Sequence, residues 1–427
     1  MSIPKWPLCV IVMGSLVMGM LALAARCALA ADISGRVIGS TTGEPLTGAF
    51  VTLGDTVVRA DDNGMFHIRG EGRVLGVRAY GHRRKQIPIS SLAATDNQVA
   101  LDYFRPKALY LSFYGIGSRT LRESALALIR STELNALVID VKGDRGMIAY
   151  RSAIPLASQV GAQSVITIAD LPGLVKGLHD QGIYTIARIV VFKDNPLATA
   201  RPDLAVRYAG GGIYHDREHL AWADPFSKEV WDYNIAVAVE AARAGFDEIQ
   251  FDYVRLPDAR GLRYQRPWTL ANRVSAIDGF LSAARRALVP YNVFLGVDIF
   301  GYVIWNLDDT KIGQMLPNVV GIADYVCPML YPSGFQFGIP GYRNPVQHPY
   351  EIVHLSLMRA IERTGVPAVR FRPWIQAFRD YAFSRQQFGG VEIRKQIDAA
   401  ERAGADGWML WNPNNRYSEA GLKLRRP

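Results

Sequence analysis

The sequence predicts an α/β protein, a (β/α)8 barrel preceded by a small all-β sandwich. Three observations carry that reading. From about residue 105 onward, eight apolar strand candidates alternate with amphipathic helix candidates. Two of those strands, within 248–255 and 296–301, run into an aspartate at the end where a barrel of parallel strands carries its active face. Residues 31–104 instead hold short alternating runs broken by turn signals, without helical spacing.

At 427 residues the chain has room for a full barrel plus a smaller domain. Its 49% apolar and 20% charged content is that of an ordinary globular protein. Residues 1–30 stand apart. Lys5 supplies positive charge, residues 8–25 form an apolar run, and Ala28-Leu29-Ala30 offers small residues for cleavage. This pattern predicts a secretory signal cleaved after Ala30, and so an exported protein, periplasmic or extracellular. Left uncleaved, the same run is long enough to span a bilayer, and it is the one membrane tie predicted. Arg26 before Cys27 does not suit a lipoprotein signal.

Loss of Lys5 and Arg26 lowers the net charge from +9 to +7. Arg83-Arg84-Lys85 and Lys423-Leu424-Arg425-Arg426 are the basic clusters noted, and the rest is scattered. No nucleic-acid partner is therefore predicted, although such a balance suits attraction to anionic envelope polymers. Cys9 and Cys27 fall in the signal, which leaves Cys327 alone, without a disulfide partner or a cysteine zinc site. No cofactor and no metal is expected.

In the sandwich segment, strands are predicted at 35–38, 49–53, 65–68 and 74–79. Asp61-Asp62-Asn63-Gly64 between two of them reads as a hairpin turn rather than a calcium loop. Ile33-Ser34-Gly35-Arg36-Val37, Thr42-Gly43-Glu44-Pro45-Leu46 and Asp61-Asp62-Asn63-Gly64-Met65-Phe66 resemble the carboxypeptidase regulatory-like (transthyretin-like) domain. The resemblance implies an accessory module without chemistry of its own.

In the barrel segment, 105–427, strands are predicted at 108–114, 136–141, 184–192, 248–254, 292–300, 325–331, 373–378 and 407–411. Helices are predicted at 121–131, 171–181, 227–244, 270–288, 350–363 and 391–403 from apolar residues at three-to-four spacing. Gly182, Gly245, Gly365 and Gly404 follow four of them, where C-terminal caps belong. An open doubly wound sheet is the alternative. It lacks a Gly-rich phosphate loop after the first strand, since Gly115-Ile116-Gly117 is too short a match.

Val138-Ile139-Asp140-Val141-Lys142, Glu248-Ile249-Gln250-Phe251-Asp252-Tyr253-Val254-Arg255 and Gly296-Val297-Asp298-Ile299-Phe300 resemble a bacterial glycosyl hydrolase-like barrel family. So do Asp324-Tyr325-Val326-Cys327-Pro328-Met329-Leu330-Tyr331 and Gly407-Trp408-Met409-Leu410-Trp411-Asn412. The similarity covers roughly residues 107–420 and extends distantly to the alpha-amylase and alpha-galactosidase barrels. It implies a nucleophilic aspartate at the end of the fourth strand, here Asp252. The amylase-like barrels place a glutamate acid/base after the fifth strand; this chain has Asp298 there.

The residues themselves point to the same chemistry. Glycosidic-bond hydrolysis needs two carboxyl groups, one acid and one base or nucleophile. Asp252 and Asp298 are the catalytic candidates, with Asp252 attacking or activating water and Asp298 protonating the leaving oxygen. Side chains alternate along a strand, so Gln250, Asp252 and Val254 share the inward face while Phe251 and Tyr253 turn outward. By the same rule Gly296 shares a face with Asp298 and leaves room beneath it. Asp140 and Lys142 face inward on the second strand and Arg188 on the third. A structural Asp140–Lys142 or Asp140–Arg188 pair explains Asp140 equally well. The expected substrate-binding set is Asp140, Lys142, Arg188, Gln250, Arg255, Tyr331, Gln376, Trp411 and Asn412, in which the strand-end aromatics offer a sugar platform.

Asp144, Asp194 and Asp258 read as solvated turn residues. His215 and His219 have metal-ligand spacing only on a helix, and Gly210-Gly211-Gly212 before them implies a loop. Ser118, Ser131 and Ser333 lack a nucleophile elbow, so esterase chemistry is unsupported. The sequence thus predicts an exported glycoside hydrolase acting on a polysaccharide or oligosaccharide. The alternative is a non-catalytic glycan-binding barrel protein of the cell envelope.

Overall fold

The computed structural model describes residues 29–425. The predicted signal segment through Ala28 lies outside the described residues. Leu29 and Ala30 open the first strand, Leu29–Gly39, which cleavage after Ala30 would shorten by two residues.

The segment that follows folds as two small sheets. Leu29–Gly39 lies between Met65–Gly72, antiparallel, and Asn97–Leu101, parallel. Phe50–Leu53 lies between Thr56–Arg59 and Val74–Arg78, and Lys85–Pro88 completes that sheet. Side chains from both sheets, among them Val37, Val51, Phe66, Leu75 and Val99, share one apolar cluster. Thr56–Arg59, Lys85–Pro88 and Asn97–Leu101 were not foreseen; they are short and half polar, so their alternation is weak. Asp61-Asp62-Asn63-Gly64 is a tight turn: the Asp61 carboxylate accepts from the Asn63 and Met65 amides at 2.9 and 2.8 Å. Gly64 sits at φ +74°, where a Cβ would lie 2.4 Å from the Val37 carbonyl oxygen.

From Lys107 onward eight parallel strands close into a barrel. In chain order they are Lys107–Leu111, Ala136–Lys142, Tyr184–Val190, Glu248–Asp252, Phe294–Phe300, Tyr325–Met329, Trp374–Gln376 and Trp408–Trp411. The closed ring excludes the open doubly wound sheet. Every predicted strand is present, shortened at one end or both or extended by one residue. The first stops at Leu111 because Ser112 caps a short helix, Phe113–Gly117, accepting from the Gly115 amide. The six predicted helices are Arg119–Ser131, Leu171–His179, Lys228–Arg243, Leu270–Leu288, Pro349–Thr364 and Gly390–Arg402. Gly182, Gly245, Gly365 and Gly404 all take positive φ at or just past helix ends. The helices Pro155–Gln159, Asn195–Ala200 and Leu316–Ile322 were missed, being too short to display a helical period.

Outward-facing strand residues such as Ile139, Ile189, Phe251, Val297 and Ile375 join the helices in the main core. Inward-facing Tyr110, Val138, Ile186, Phe294, Cys327 and Trp374 fill the barrel. Below them Arg372, fully buried, binds Glu248 at 2.7 Å and Asp406 at 2.6 Å. The lower opening is covered by the N-terminal sheets. There Arg84 donates to the Gly245 and Phe246 carbonyls at 2.8 and 2.9 Å, and Gly81 donates to the Tyr325 hydroxyl at 3.1 Å. The upper opening, at the carboxyl ends of the strands, is left for the site.

Candidate active site

Asp252 is the last residue of the fourth strand and Asp298 lies two residues before the end of the fifth. Both point into the mouth, and both line a cavity of about 180 Å³ together with Arg188, Arg255, Tyr331 and Trp411. The two residues are buried, to 3% and 1% exposure, yet their carboxyl groups are held in different ways. Arg188 donates to Asp252 Oδ2 from Nε at 3.0 Å and from Nη2 at 2.5 Å, while Oδ1 accepts from the Tyr253 amide. Asp298 Oδ1 accepts from the Trp374 indole at 2.7 Å, and its Oδ2 is buried without a hydrogen-bond partner. Burial, reinforced by the Asp252 charge, holds the Asp298 carboxyl well above the usual carboxylate range, against the pull of Arg188. Arg188 Nε is 3.0 Å from Asp252 Oδ2 and 4.0 Å from Asp298 Oδ2, so those two oxygens are no more than 7.0 Å apart.

Arg188 is the hub of the mouth. Its Nη1 donates to Asp140 at 2.7 Å and its Nη2 to Asp144 at 2.9 Å, in addition to the Asp252 bonds. Burial works against its charge, but the Asp140, Asp144 and Asp252 carboxylates outweigh it and hold the guanidinium well above its ordinary pKa. Asp140 also accepts from the Tyr110 hydroxyl at 2.7 Å, and burial raises its pKa to about 6. Asp140 and Asp144 line a second cavity of about 210 Å³ on the other side of Arg188. The Tyr110 ring stacks on Trp411 at 4.0 Å, and the Arg188 guanidinium lies 5.0 Å from the Trp411 centroid. Near the two catalytic candidates Tyr331 keeps its hydroxyl proton, its pKa raised by burial and by Asp298 and Asp252.

Several expected residues do not reach these cavities. Lys142 was placed on the inward face, but the second strand bulges there: Arg188 pairs with Asp140 and Ile189 with Lys142, two residues on. The extra residue turns Lys142 to the outer layer, where it binds Asp194 at 2.8 Å and the Val190 carbonyl at 2.7 Å. Gln250 is sealed in mid-barrel, its amide 3.5 Å from the Met409 sulfur. The space above Gly296 is not empty either; a Cβ there would meet Glu248 Oε1 at 2.6 Å. Gln376 is committed to Ser333 and Phe378, and Asn412 to the Ala377 and Arg416 carbonyls. Alternation also fails just past Asp252. Tyr253 takes φ +47°, so its ring lines the Asp252 cavity while Val254 joins the outer core.

Of Asp144 and Asp194, both read as solvated turn residues, Asp144 does lie on a partly exposed turn but is not free, and Asp194 is not solvated. Asp144 belongs to the Arg188 cluster, and Asp194 is fully buried, pairing with Lys142 and capping the helix Asn195–Ala200. Asp258 is exposed. His215 and His219 lie on a hairpin loop, with the His215 ring on the Ile213 carbonyl. Tyr110 and Trp374 were missed as partners of the carboxyl groups, because an aromatic on an apolar strand carries no signal of the donor it presents.

The family model described as "Putative glycosyl hydrolase domain" matches residues 108–417. The chain belongs to that family. A hypothetical protein from Ruminiclostridium thermocellum ATCC 27405 is 37% identical over 44% of this chain and 96% of its own, with a TM-score of 0.39. The PgaB (BpsB) glycoside hydrolase domain from Bordetella bronchiseptica is 15% identical, covering 73% of this chain and 95% of that one, with a TM-score of 0.52. Alpha-L-fucosidase isoenzyme 2 from Paenibacillus thiaminolyticus is 15% identical over 74% of this chain and 47% of that one, with a TM-score of 0.51. The last two share the barrel fold. No curated protein matches the chain.

Proposed function

From membership of the glycosyl hydrolase domain family, we propose that this protein is an exported glycoside hydrolase that cleaves a polysaccharide with Asp252 and Asp298. One observation carries the reading: two carboxyl groups on neighbouring strands line one cavity, one ion-paired and one with a raised pKa and an unpartnered oxygen. Asp298 gives its proton to the leaving glycosidic oxygen. Asp252 attacks the anomeric carbon, oriented by Arg188 and by the Tyr253 amide. Asp298, now ionised, then takes a proton from the water that releases the sugar. The two Oδ2 atoms are at most 7.0 Å apart, a bound compatible with the roughly 5–5.5 Å that retention needs. Trp411 and Tyr331, which line the same cavity, supply the aromatic wall for the sugar.

The test is sugar release from a panel of bacterial polysaccharides by wild type and Asp252→Asn, with the anomer of the first product followed by proton NMR. Release that disappears in the variant and yields the retained anomer supports the reading. Undiminished release by the variant removes Asp252 from the chemistry, and the inverted anomer removes the covalent step. A specific observation favours a second reading, a glycan-binding barrel without catalysis: Arg188 engages Asp252 directly in a small cavity. Binding of a polymer with no release from any member of the panel would select it.

Export is proposed from residues 1–30, and Edman sequencing of the mature chain tests it. A first residue of Ala31 is expected, and recovery of the intact N-terminus from the envelope would refute cleavage. The two N-terminal sheets are proposed as an accessory module that supports the barrel from below.

A further inference from the structure

The loops that leave the two catalytic strands build a third cavity, whose chemistry is unlike that of the mouth. Residues 257–268 follow Asp252, and residues 306–314 follow Asp298. Arg260, Leu262, Tyr264, Trp268 and Lys311 line a cavity of about 410 Å³ between them. The two loops are joined by the Leu256 amide, which donates to the Ile312 carbonyl at 2.9 Å. They are also the walls of the catalytic cavity, where Arg255 and Gln314 stand a few residues away along the same stretches of chain. The two cavities thus belong to the same pair of strand-end loops.

The third cavity has a basic and aromatic lining. Arg260 and Lys311, its two cations, are exposed, and neither is engaged in an ion pair or a side-chain hydrogen bond among the described residues. Of the acids in these loops, Asp258 and Asp308 do not line the cavity, and Asp309 is already bound by Arg273 at 2.6 and 2.9 Å. The Arg273 guanidinium lies 4.1 Å from the Trp268 centroid and anchors that ring, which remains 39% exposed. The loop that presents Lys311 carries backbone strain, since Thr310 and Lys311 take φ +53° and +60° in succession. The carboxylates of Asp308 and Asp309 hold that conformation by accepting from the Thr310, Lys311 and Gly313 amides. An anchored aromatic beside two unpaired cations suits a ligand with both sugar rings and negative charges.

We propose that this cavity is a remote binding subsite for an anionic polysaccharide, one bearing carboxylates on its sugars, and that such a polymer is the substrate class. This rests on the hydrolase reading above and narrows it. A nucleic acid would satisfy the cations as well, but the cavity opens on the loops that frame a glycosyl hydrolase site, which favours a glycan.

The test uses the mature chain carrying Asp252→Asn, so that the polymer is bound and not degraded. Retardation in gels containing polygalacturonate is compared with gels containing dextran, and competition by duplex DNA is measured alongside. Preference for polygalacturonate by about tenfold or more at low salt, declining as salt is raised, is expected. Adding Arg260→Glu and Lys311→Glu should abolish that preference, while Arg260→Lys should keep it. Trp268→Ala should weaken the residual binding at high salt, where charge alone is screened. Equal retardation by dextran, unchanged preference in the double charge reversal, or displacement by DNA without any effect of Trp268→Ala would overturn the proposal. Unaltered melting temperatures of the variants show that a lost preference is not lost folding. The two readings fail separately: polymer preference with no sugar release by wild type defeats only the hydrolase, and release without this preference defeats only the subsite.

Discussion

Asp298 is the residue whose environment is least comfortable and most useful. Burial and the neighbouring Asp252 charge push its pKa well above that of an exposed aspartate, against the pull of Arg188. The native state therefore binds more protons than the unfolded chain between the ordinary carboxylate pKa and the raised one. Stability from this group is complete below the ordinary value and is lost as pH rises through the raised value. Asp140 has the same sign, over the window from 3.8 to about 6. Two outcomes follow for Asp298→Asn. Sugar release should fall by roughly 10²–10⁴, the share of a general acid, and thermal melts at pH 8 should show a higher midpoint than wild type. A lower midpoint at pH 8 would mean that Arg188 already compensates the buried charge. In wild type the rate should decline on the alkaline side as Asp298 loses its proton; a flat profile through neutral pH would take the acid role away from it.

At the scale of a strand, Arg188 shows what a single inward position can organise. It answers Asp252 from its own neighbour strand, Asp140 from the other neighbour, and Asp144 from the loop beyond. Replacing it by Met keeps the apolar stem and leaves buried carboxylates without a cation. Arg188→Met should therefore cost roughly 3–5 kcal/mol in urea unfolding at neutral pH, with much of the loss recovered at pH 4 as Asp140 protonates. A loss that is the same at both pH values would show that packing, not charge, is what Arg188 contributes. The strands themselves were legible because their apolar runs alternate with a helical period, and Asp252, Asp298, Asp140 and Arg188 were legible because they end or interrupt those runs. Lys142 and Tyr253 were misplaced by the same rule. A bulge and a left-handed residue each break the two-residue period, and neither leaves a mark in residue type. Trp374 and Tyr110 hid for the opposite reason, since as aromatics they satisfy the core pattern while their polar atoms serve the carboxyl groups.

For the molecule as a whole, the division of labour runs along the barrel axis. Catalytic candidates and the basic cavity occupy the carboxyl ends of the strands, and the N-terminal sheets close the opposite end. That closure is polar as well as apolar: Arg78 lies 3.8 Å from Asp324, Asn292 accepts from Arg78 at 3.2 Å, and Arg84 binds two carbonyls and Asp247 where the chain enters the fourth strand. The strand that Arg84 anchors is the one that ends in Asp252, yet the contact sits at its far end. Arg84→Ala should therefore weaken folding by roughly 2–3 kcal/mol, the worth of charged hydrogen bonds whose carbonyl partners are left half-buried, without altering the chemistry. Thermal unfolding should remain a single transition at a lower midpoint, because the sheets and the barrel share that interface. Sugar release per folded molecule should match wild type. Two separate transitions, with the barrel's midpoint unmoved, would show that the sheets ride on the barrel without supporting it. A fall in release at unchanged stability would show instead that the lower end is coupled to the geometry of Asp252.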